Sequence, residues 1–365
     1  MSKHNIASLD GLRAVSITLV VISHLSLPAA FPGLPCARCW TLAGDLGVQM
    51  FFVISGFLIT SLLLKEIDQS GSISLSRFYY RRTLRIFPPF YFMLAFLIIV
   101  SSKGFLQIPA SSLVHAATYT TNYLPEESLN LFTRHTWSLA VEEQFYLLWP
   151  IALVLLGKLR GLKLAVVALA LCPIFRLSVF LISREFFNNS LSINNHFESV
   201  ADSIAVGCVL AGVPLLEFGS SYTRLLKSKA FFLVPLVGLV IHTSLRNQTQ
   251  YYFLVYILIG YTLVNLSIAL CVHWSVTHRE SMIGRLLNSP PLVFVGVMSY
   301  SIYLWQQPVL FGLSLSIPLK LGVLLTVCTL SYYLIERPTL RVRRRVEMAL
   351  FFTPQTLQTA ERKSQ

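Results

Sequence analysis

The sequence predicts an all-α, polytopic integral membrane protein with about ten transmembrane helices. Of its 365 residues, 55% are hydrophobic and only 12% are charged, whereas a soluble domain typically has about 25% charged residues. The hydrophobic residues also occur in blocks of about 20, which is the helix length that crosses about 30 Å of hydrocarbon. These two observations exclude an ordinary soluble domain and a disordered chain.

Apolar blocks bounded by charged residues, Pro or Gly predict the individual spans. They lie near residues 14–31, 44–64, 87–102, 137–157, 163–182, 200–216, 230–245, 251–272, 290–313 and 317–336. The segment 103–136 is predicted to be a loop. We assign residues 1–340 to the transmembrane domain and residues 341–365 to a short basic cytoplasmic tail.

The basic residues predict the orientation of the chain. An even number of spans places both termini on one side, and Lys and Arg concentrate in cytoplasmic segments. With both termini in the cytoplasm, most of the 29 basic residues fall on the cytoplasmic side. The topology and an attraction to anionic lipid then explain the net charge of +13, and a nucleic-acid partner is not needed to explain it. A cleaved signal peptide is the competing interpretation of residues 1–30, but Ser23 and His24 interrupt its apolar run.

Cys36 and Cys39 form a Cys-x-x-Cys segment in the first predicted outward loop. They either form a disulfide or remain two free thiols. Two ligands are too few for a zinc site, and the sequence predicts no metal.

Ionisable residues within predicted spans are functional candidates, because charge is costly to bury in a bilayer. They are His24, Asp45, Glu142, Glu143, Arg176, Asp202 and Glu336, with Arg13 at an inner edge. Arg13 and His24 are 11 residues apart, so they project from one helix face about 16 Å apart along its axis. Taken alone, Arg13 is explained as a membrane anchor and His24 as a core residue. Their shared face favours a functional pair.

Three arginines crowd one helix face in the segment RRTLRIFPP, residues 81–89. Arg81 and Arg82 precede Arg85 by four and three residues, and such like charges repel unless an anion relieves them. Arginine suits phosphate particularly well. A lipid-headgroup anchor explains the cluster equally well. Pro88 and Pro89 are predicted to end this helix at the membrane surface.

Two adjacent carboxylates follow in WSLAVEEQFYLLWP, residues 137–150. Glu142 and Glu143 point about 100° apart, so at least one of them is expected to face a polar cavity. The helix dipole is the simpler explanation for the other. Asp45 can reach the level of His24, where a carboxylate raises the basicity of a histidine and fixes its tautomer.

Small and polar residues mark two further positions. Ser55 and Gly56 interrupt a bulky aromatic helix and allow another helix, or a ligand, to approach the backbone, with helix packing favoured. Glu336 either pairs with Arg337 at the membrane interface or belongs to the functional set.

Five segments in this order resemble the acyltransferase 3 family of membrane-bound acyltransferases. They are Arg13 with His24; residues 47–58, GVQMFFVISGFL; Arg82-x-x-Arg85 before Pro88; residues 137–146, WSLAVEEQFY; and residues 299–305, SYSIYLW. The resemblance extends over nearly the whole chain, from Leu9 to Pro338.

The resemblance implies a ten-helix enzyme that transfers an acyl group, most often acetyl, from coenzyme A to a hydroxyl group. Acceptors in the family are commonly surface glycans such as O-antigen, exopolysaccharide or peptidoglycan, and some are lipids. It also implies that His24 is the essential histidine, Arg13 its paired arginine, and Arg82 with Arg85 the holders of the cofactor's phosphates.

This chain departs from the family pattern at two positions. Gln49 and Gln306 stand where the family often has Asp and His, and neither glutamine can carry a proton. His24 is therefore the strongest candidate base, with Asp45 as a substitute carboxylate. No soluble partner domain is visible in the sequence, so we expect either a lipid-linked acceptor or delivery by another protein.

We expect acetyl-CoA, or another acyl-CoA, to bind on the cytoplasmic side at Arg82 and Arg85 with help from Arg81 and Arg13. His24 then removes the acceptor's proton or accepts the acyl group itself, with Asp45 or Glu142 orienting its ring. The glycan or lipid-linked acceptor enters from the outward side. The residues expected to bind it are Trp137, Glu143 and Ser55.

A transporter or flippase of a lipid-linked sugar or small anion would also contain ten spans and interior charges. Transporters commonly show repeated halves, which are not visible here, and a purely structural scaffold would not need the interior charges. The resemblance to the family also implies that the protein is located in the inner membrane of a bacterium.

Overall fold

The computed structural model describes residues 7–25, 37–186, 195–216 and 255–351, and within these ranges every regular element is helical. The α-helices are α1 (Ala7–His24), α2 (Ala37–Ser70), α3 (Leu75–Ser102), α4 (Ala110–Ala117), α5 (Thr136–Phe186), α6 (Phe197–Gly212), α7 (Tyr261–Thr277), α8 (Met282–Leu287), α9 (Pro290–Gly312), α10 (Ile317–Ser331) and α11 (Arg337–Phe351). Single π-helical segments precede α7 (Tyr256–Gly260) and join α10 to α11 (Tyr332–Glu336).

Six stretches of the described chain are long and apolar enough to cross a membrane, as expected for a membrane protein. They are Leu42–Ser70, Leu75–Ser102, Thr136–Ile182, Phe197–Leu215, Leu258–Thr277 and Ile317–Glu347. The predicted span 230–245 lies outside the described residues, as does Cys36. The count of ten spans, the cytoplasmic location of both termini and the pairing of Cys36 with Cys39 therefore stay predictions.

Two predicted spans meet within α5, at Gly157. This residue has φ 76° and ψ 173°, a backbone conformation that breaks a helix and that glycine adopts without strain. The Leu153 side chain lies against Gly161 across the break, so the two parts of α5 pack against each other. The predicted boundary at residue 157 is confirmed.

Two predictions about segment ends are wrong. Helix α3 continues through Pro88 and Pro89 to Ser102. Neighbouring helices can stabilise proline turns in membranes, and α9 contacts α3 close to this point, where the Tyr300 hydroxyl donates to the Ile86 carbonyl oxygen at 2.9 Å. The predicted loop 103–136 contains α4, which buries one face through Ser112 and Ala116, four residues apart.

Helix α11 is continuous across residues 340 and 341, the predicted boundary between the transmembrane domain and the basic tail. It continues α10 through the π-helical segment Tyr332–Glu336, and its Glu347 contacts α3. The basic residues that follow residue 337 are therefore helical up to Phe351.

Helix α1 packs between α2 and α9, and α2 packs closely on α6. A Cβ atom on Gly56 of α2 would lie 2.1 Å from the Ile204 carbonyl oxygen of α6, and one on Gly207 would lie 2.1 Å from that of Val53. Only glycine allows these backbones to approach so closely. The prediction that Gly56 serves close helix packing is confirmed, and this packing fixes the position of the neighbouring Ser55.

Candidate active site

Two cavities lie along α1. The first, which we call the arginine cavity, is lined by Arg13, Ser55, Arg82, Arg85, Glu142, Glu143 and Tyr146, among others. The second, the histidine cavity, is lined by His24, Asp45, Gln49, Arg134, His135, Trp137 and Gln307, among others. Val48 and Tyr303 line both cavities. The two cavities are therefore back to back.

Helix α1 contributes a residue to each cavity. Arg13 lines the arginine cavity and His24, the last residue of the helix, lines the histidine cavity. Eleven residues of helix separate them by about 16 Å. The predicted geometry of this pair is therefore present, with each residue in a chamber of its own.

The arginine cavity contains more basic side chains than acidic side chains. Arg82 lies over the Tyr146 ring at 5.1 Å and near the Phe78 ring at 5.7 Å, and a guanidinium is attracted to such faces. Arg13 and Arg85 repel each other. Within the described residues, the guanidinium groups of Arg13, Arg82 and Arg85 form no hydrogen bond or ion pair. The cavity is thus suited to an anion.

The structure does not bring Arg81 into this cavity. Its Nε donates to Glu347 of α11 at 2.8 Å, and Arg77 binds the same carboxylate oxygen through its Nε at 3.1 Å. Glu347 thus pairs with two arginines of α3. The predicted role of Arg81 in phosphate binding gains no support from its location.

Two carboxylates of α5, Glu142 and Glu143, line the arginine cavity. The Ser55 hydroxyl donates to Glu142 at 2.5 Å, and the Tyr146 hydroxyl donates to Ser55 at 3.3 Å. Glu142 and Ser55 are thus brought together on the side of the arginines, and neither lines the histidine cavity. Of the two carboxylates proposed to orient His24, only Asp45 shares its cavity.

Hydrogen bonds through Gln307 connect two histidines in the histidine cavity. The Gln307 side-chain oxygen lies 3.1 Å from the main-chain nitrogen of His135 and 2.9 Å from its Nδ1. The Gln307 side-chain nitrogen lies 3.5 Å from His24 Nε2. Asp45 adds an attractive charge near His24, and Arg134 adds a repulsive one.

His135 is a neutral member of this network. It is 3% exposed and lies in the segment before α5. Burial lowers its pKa to about 4, because an apolar environment disfavours the charged imidazolium. At pH 7, His135 therefore has one protonated and one unprotonated ring nitrogen.

Tyr303 of α9 forms part of the wall between the cavities. Its hydroxyl donates to the His135 carbonyl oxygen at 3.0 Å and accepts from Ser138. Trp137 lies nearby on the side of the histidine cavity, with its ring edge against Phe52 at 5.9 Å. These bonds hold the wall to the segment that carries His135.

The structure decides between the two interpretations of Glu336 and adds two functional candidates, His135 and Gln307. Glu336 does not pair with Arg337 within the described residues: it accepts from Ser301 at 2.9 Å and attracts Arg85. His135 and Gln307 have no motif of their own. The one available signal is their position, since His135 precedes Trp137 by two residues and Gln307 follows the SYSIYLW segment.

Arg176 and Asp202 lie outside both cavity linings. They form a buried ion pair at 3.0 Å, with side-chain exposures of 2% and 0%. Thr262 accepts from Arg176 at 2.9 Å and donates to Asp202 at 2.6 Å. A buried charge pair in direct contact, away from both cavities, is expected to be structural.

Comparisons with known proteins place the chain in a family. The Acyltransferase 3 model, described as an acyltransferase domain, matches residues 6–335. A Staphylococcus aureus (strain COL) protein named "Putative O-acetyltransferase" is 29% identical over 328 residues, 84% of this chain and 50% of that protein. "O-acetyltransferase OatA" of Staphylococcus aureus (strain NCTC 8325) is 27% identical over an aligned length of 382 residues, which covers 97% of this chain and 60% of that protein.

This chain spans about half the length of the curated relatives it matches. No solved structure matches it. Because the family model covers most of its residues, the chain belongs to the acyltransferase 3 family.

Proposed function

We propose that this chain is a membrane O-acetyltransferase. It transfers an acyl group, most often acetyl, from acyl-CoA to a hydroxyl group of a surface polysaccharide, O-antigen or lipid-linked glycan. The observation that carries this proposal is the pair of cavities that share a wall at Val48 and Tyr303. Family membership and two relatives named as O-acetyltransferases support it.

The arginine cavity binds the donor's phosphates in this proposal. Arg13, Arg82 and Arg85 line it without direct counter-ions among the described residues, and guanidinium groups bind phosphate in a bidentate manner. The donor's long pantetheine arm then extends past Val48 and covers the separation of about 16 Å along α1.

His24 performs the chemistry in the histidine cavity. It removes the proton of the acceptor hydroxyl, the oxygen attacks the thioester carbonyl, and a C–O bond forms as the C–S bond breaks. The thiolate then takes the proton from the imidazolium. In the covalent variant, the His24 imidazole attacks the thioester carbonyl and the C–S bond breaks to release the thiolate. The acceptor oxygen then takes the acyl group from the imidazole, and the hydroxyl proton passes to the thiolate. Asp45 stabilises the imidazolium in either route.

The acceptor enters the histidine cavity next to Trp137. With cytoplasmic termini, this cavity faces away from the cytoplasm, where a bacterial inner-membrane protein meets surface glycans and their lipid-linked precursors. An aromatic side chain at the cavity is suited to a sugar face, since it offers a large apolar surface. Glu143 and Ser55 lie in the arginine cavity, so they act near the donor.

The test compares purified wild-type protein with His24→Ala and Arg85→Ala in detergent. Acetyl-CoA binding and acetyl transfer to a hydroxyl-rich glycan mixture are measured separately. We expect transfer by the wild type, no transfer but intact binding in His24→Ala, and weak binding in Arg85→Ala. If the wild type does not bind acetyl-CoA, the enzyme proposal fails and a transporter or flippase becomes the better explanation.

A further inference from the structure

We infer that Gln307, oriented by His135, fixes the tautomer of His24 so that its Nε2 carries a lone pair and its Nδ1 carries the proton. This makes Gln307 a positioning residue. The consequence for catalysis rests on the proposed role of His24. The tautomer itself can be measured without any enzymatic activity.

The orientation of the Gln307 amide follows from its bonds to His135. A main-chain N–H can only donate, so the amide atom that lies 3.1 Å from the His135 nitrogen must be the oxygen. The same oxygen lies 2.9 Å from His135 Nδ1. An oxygen can only accept, so His135 Nδ1 carries the proton of that neutral ring. Two donors therefore hold one amide oxygen.

The tautomer of His24 follows in turn. With its oxygen held by His135, the Gln307 amide directs its NH₂ group toward His24 Nε2 at 3.5 Å. An amide NH₂ group can only donate, so it is compatible with a lone pair on Nε2 and repels an N–H there. The neutral ring then carries its proton on Nδ1.

Other groups also surround His24. Gln306 and the Val20 main chain interact with the ring and favour its protonated form, while the ring's Nδ1 atom is buried without a hydrogen bond of normal geometry within the described residues. Phe311 contacts the ring edge at 5.6 Å. The charged residues that line the cavity are Asp45 from α2 and Glu126 and Arg134 from the segment before α5, and Glu126 pairs with Arg134.

The amide has little freedom to rotate. Gln307 is 3% exposed on α9, and turning its amide would place NH₂ against the His135 N–H. This would replace two accepted hydrogen bonds by a repulsive contact, which is costly for buried groups. A residue of the segment before α5 thus determines the proton position on α1 through a side chain of α9.

The arrangement suits a base that must bind and release a proton. The separation of 3.5 Å between the Gln307 nitrogen and His24 Nε2 is long for a hydrogen bond. An acceptor hydroxyl at normal distance can therefore displace the amide and donate to the Nε2 lone pair. Once Nε2 is protonated, the fixed NH₂ group repels it. The proton is then readily returned to the leaving thiolate.

The direct test is ¹⁵N NMR of histidine-labelled protein in lipid nanodiscs, where protonated and unprotonated ring nitrogens give well-separated signals. His24→Gln identifies the His24 signals by their loss. We expect His24 Nε2 to be unprotonated at neutral pH. A protonated Nε2 in the wild type would overturn the inference, whatever the protein's activity.

Gln307→Glu supplies the sharpest variant. Its carboxylate still accepts both bonds from His135, but its second oxygen now faces His24 and stabilises an N–H at Nε2. We expect the His24 proton to move to Nε2. The turnover number should fall by at least about tenfold while the KM for acetyl-CoA stays within about twofold, because an acid–base contribution is lost and donor binding is not.

Gln307→Met is the control for packing. It matches the length of glutamine but lacks both hydrogen bonds, so both neutral tautomers of His24 should become populated. An unchanged single tautomer in both Gln307 variants would show that Gln307 does not set it. If the wild type has the expected tautomer but transfers no acetyl group, the inference stands and the proposed function fails.

Discussion

The two cavities that share Val48 and Tyr303 differ in how they hold their polar groups. The arginine cavity combines three arginines with two glutamates, and most of these charges attract or repel one another without forming direct contacts. The histidine cavity contains a chain of directional hydrogen bonds through Gln307. Excess charge suits the binding of a polyanion, whereas fixed hydrogen bonds suit the control of a proton.

A third polar region makes the contrast clearer. Arg176 and Asp202 are buried in contact, and Thr262 bonds to both side chains. Charges that are paired in this way serve the fold, and charges left without contacts are available to a ligand. We therefore expect substitutions in the three regions to affect stability, binding and turnover differently.

The largest effect on stability is expected at the paired charges. Asp202→Ala leaves Arg176 buried without its partner and should lower the free energy of unfolding by about 3–5 kcal/mol. Intrinsic fluorescence during heating in detergent measures this loss. The double variant with Arg176→Met should recover part of it. A single variant as stable as the wild type would contradict the structural role.

The pH dependence of stability should distinguish the histidine cavity. The folded-state pKa of His135 is lowered to about 4, so its contribution to stability is complete above about pH 6.5 and is lost as the pH falls toward 4. The difference corresponds to about 3 kcal/mol. Thermal unfolding at a series of pH values should show a smaller loss in His135→Gln. His278→Gln, at an exposed histidine, is the matched control and should behave as the wild type does.

Donor binding should depend on the unpaired arginines. Arg82→Gln should weaken acetyl-CoA binding by about 10- to 150-fold, since a charge-assisted hydrogen bond contributes about 1.5–3 kcal/mol. Isothermal titration calorimetry measures the affinity. Arg285→Gln removes an exposed arginine outside both cavities and should have little effect. Equal losses in both variants would indicate a general charge effect instead of a binding site.

The shared wall should show the smallest effect. Tyr303→Phe removes the hydroxyl that bonds to His135 and Ser138, and should cost about 0.5–1.5 kcal/mol of stability with less than tenfold loss of turnover. Tyr91→Phe is the comparison, because the Tyr91 hydroxyl bonds to Ala117 outside both cavities. A loss of donor binding in Tyr303→Phe would mean that the two cavities are one site.

The sequence predicted the helices better than their ends. Blocks of apolar residues predicted the six described stretches that could cross a membrane, because hydrocarbon thickness fixes helix length. Helix α3 continues through Pro88 and Pro89, because helices packed around it in a membrane can tolerate a proline that would end an isolated helix. Local rules for proline do not include this packing.

The candidate site was predicted in its residue types but only partly in its pairings. The spacing of Arg13 and His24 follows from helix geometry alone. The contact of Arg81 with Glu347 and the location of Glu142 among the arginines depend on how distant helices pack. Gln307 and His135 are 172 residues apart, and nothing local in the sequence indicates that one orients the other.

In the proposed mechanism, donor binding and chemistry occupy separate cavities that meet at Val48. Val48→Trp places a larger side chain between the two cavities, and the test measures both binding of adenosine 3′,5′-bisphosphate, the donor's nucleotide end, and acetyl transfer. Val48→Ala is the control with a smaller side chain at the same position.

We expect Val48→Trp to bind the nucleotide within about twofold of the wild type and to lose transfer by at least about 100-fold, because the thioester no longer reaches His24. Val48→Ala should retain both properties. Transfer at the wild-type rate in Val48→Trp would contradict the account.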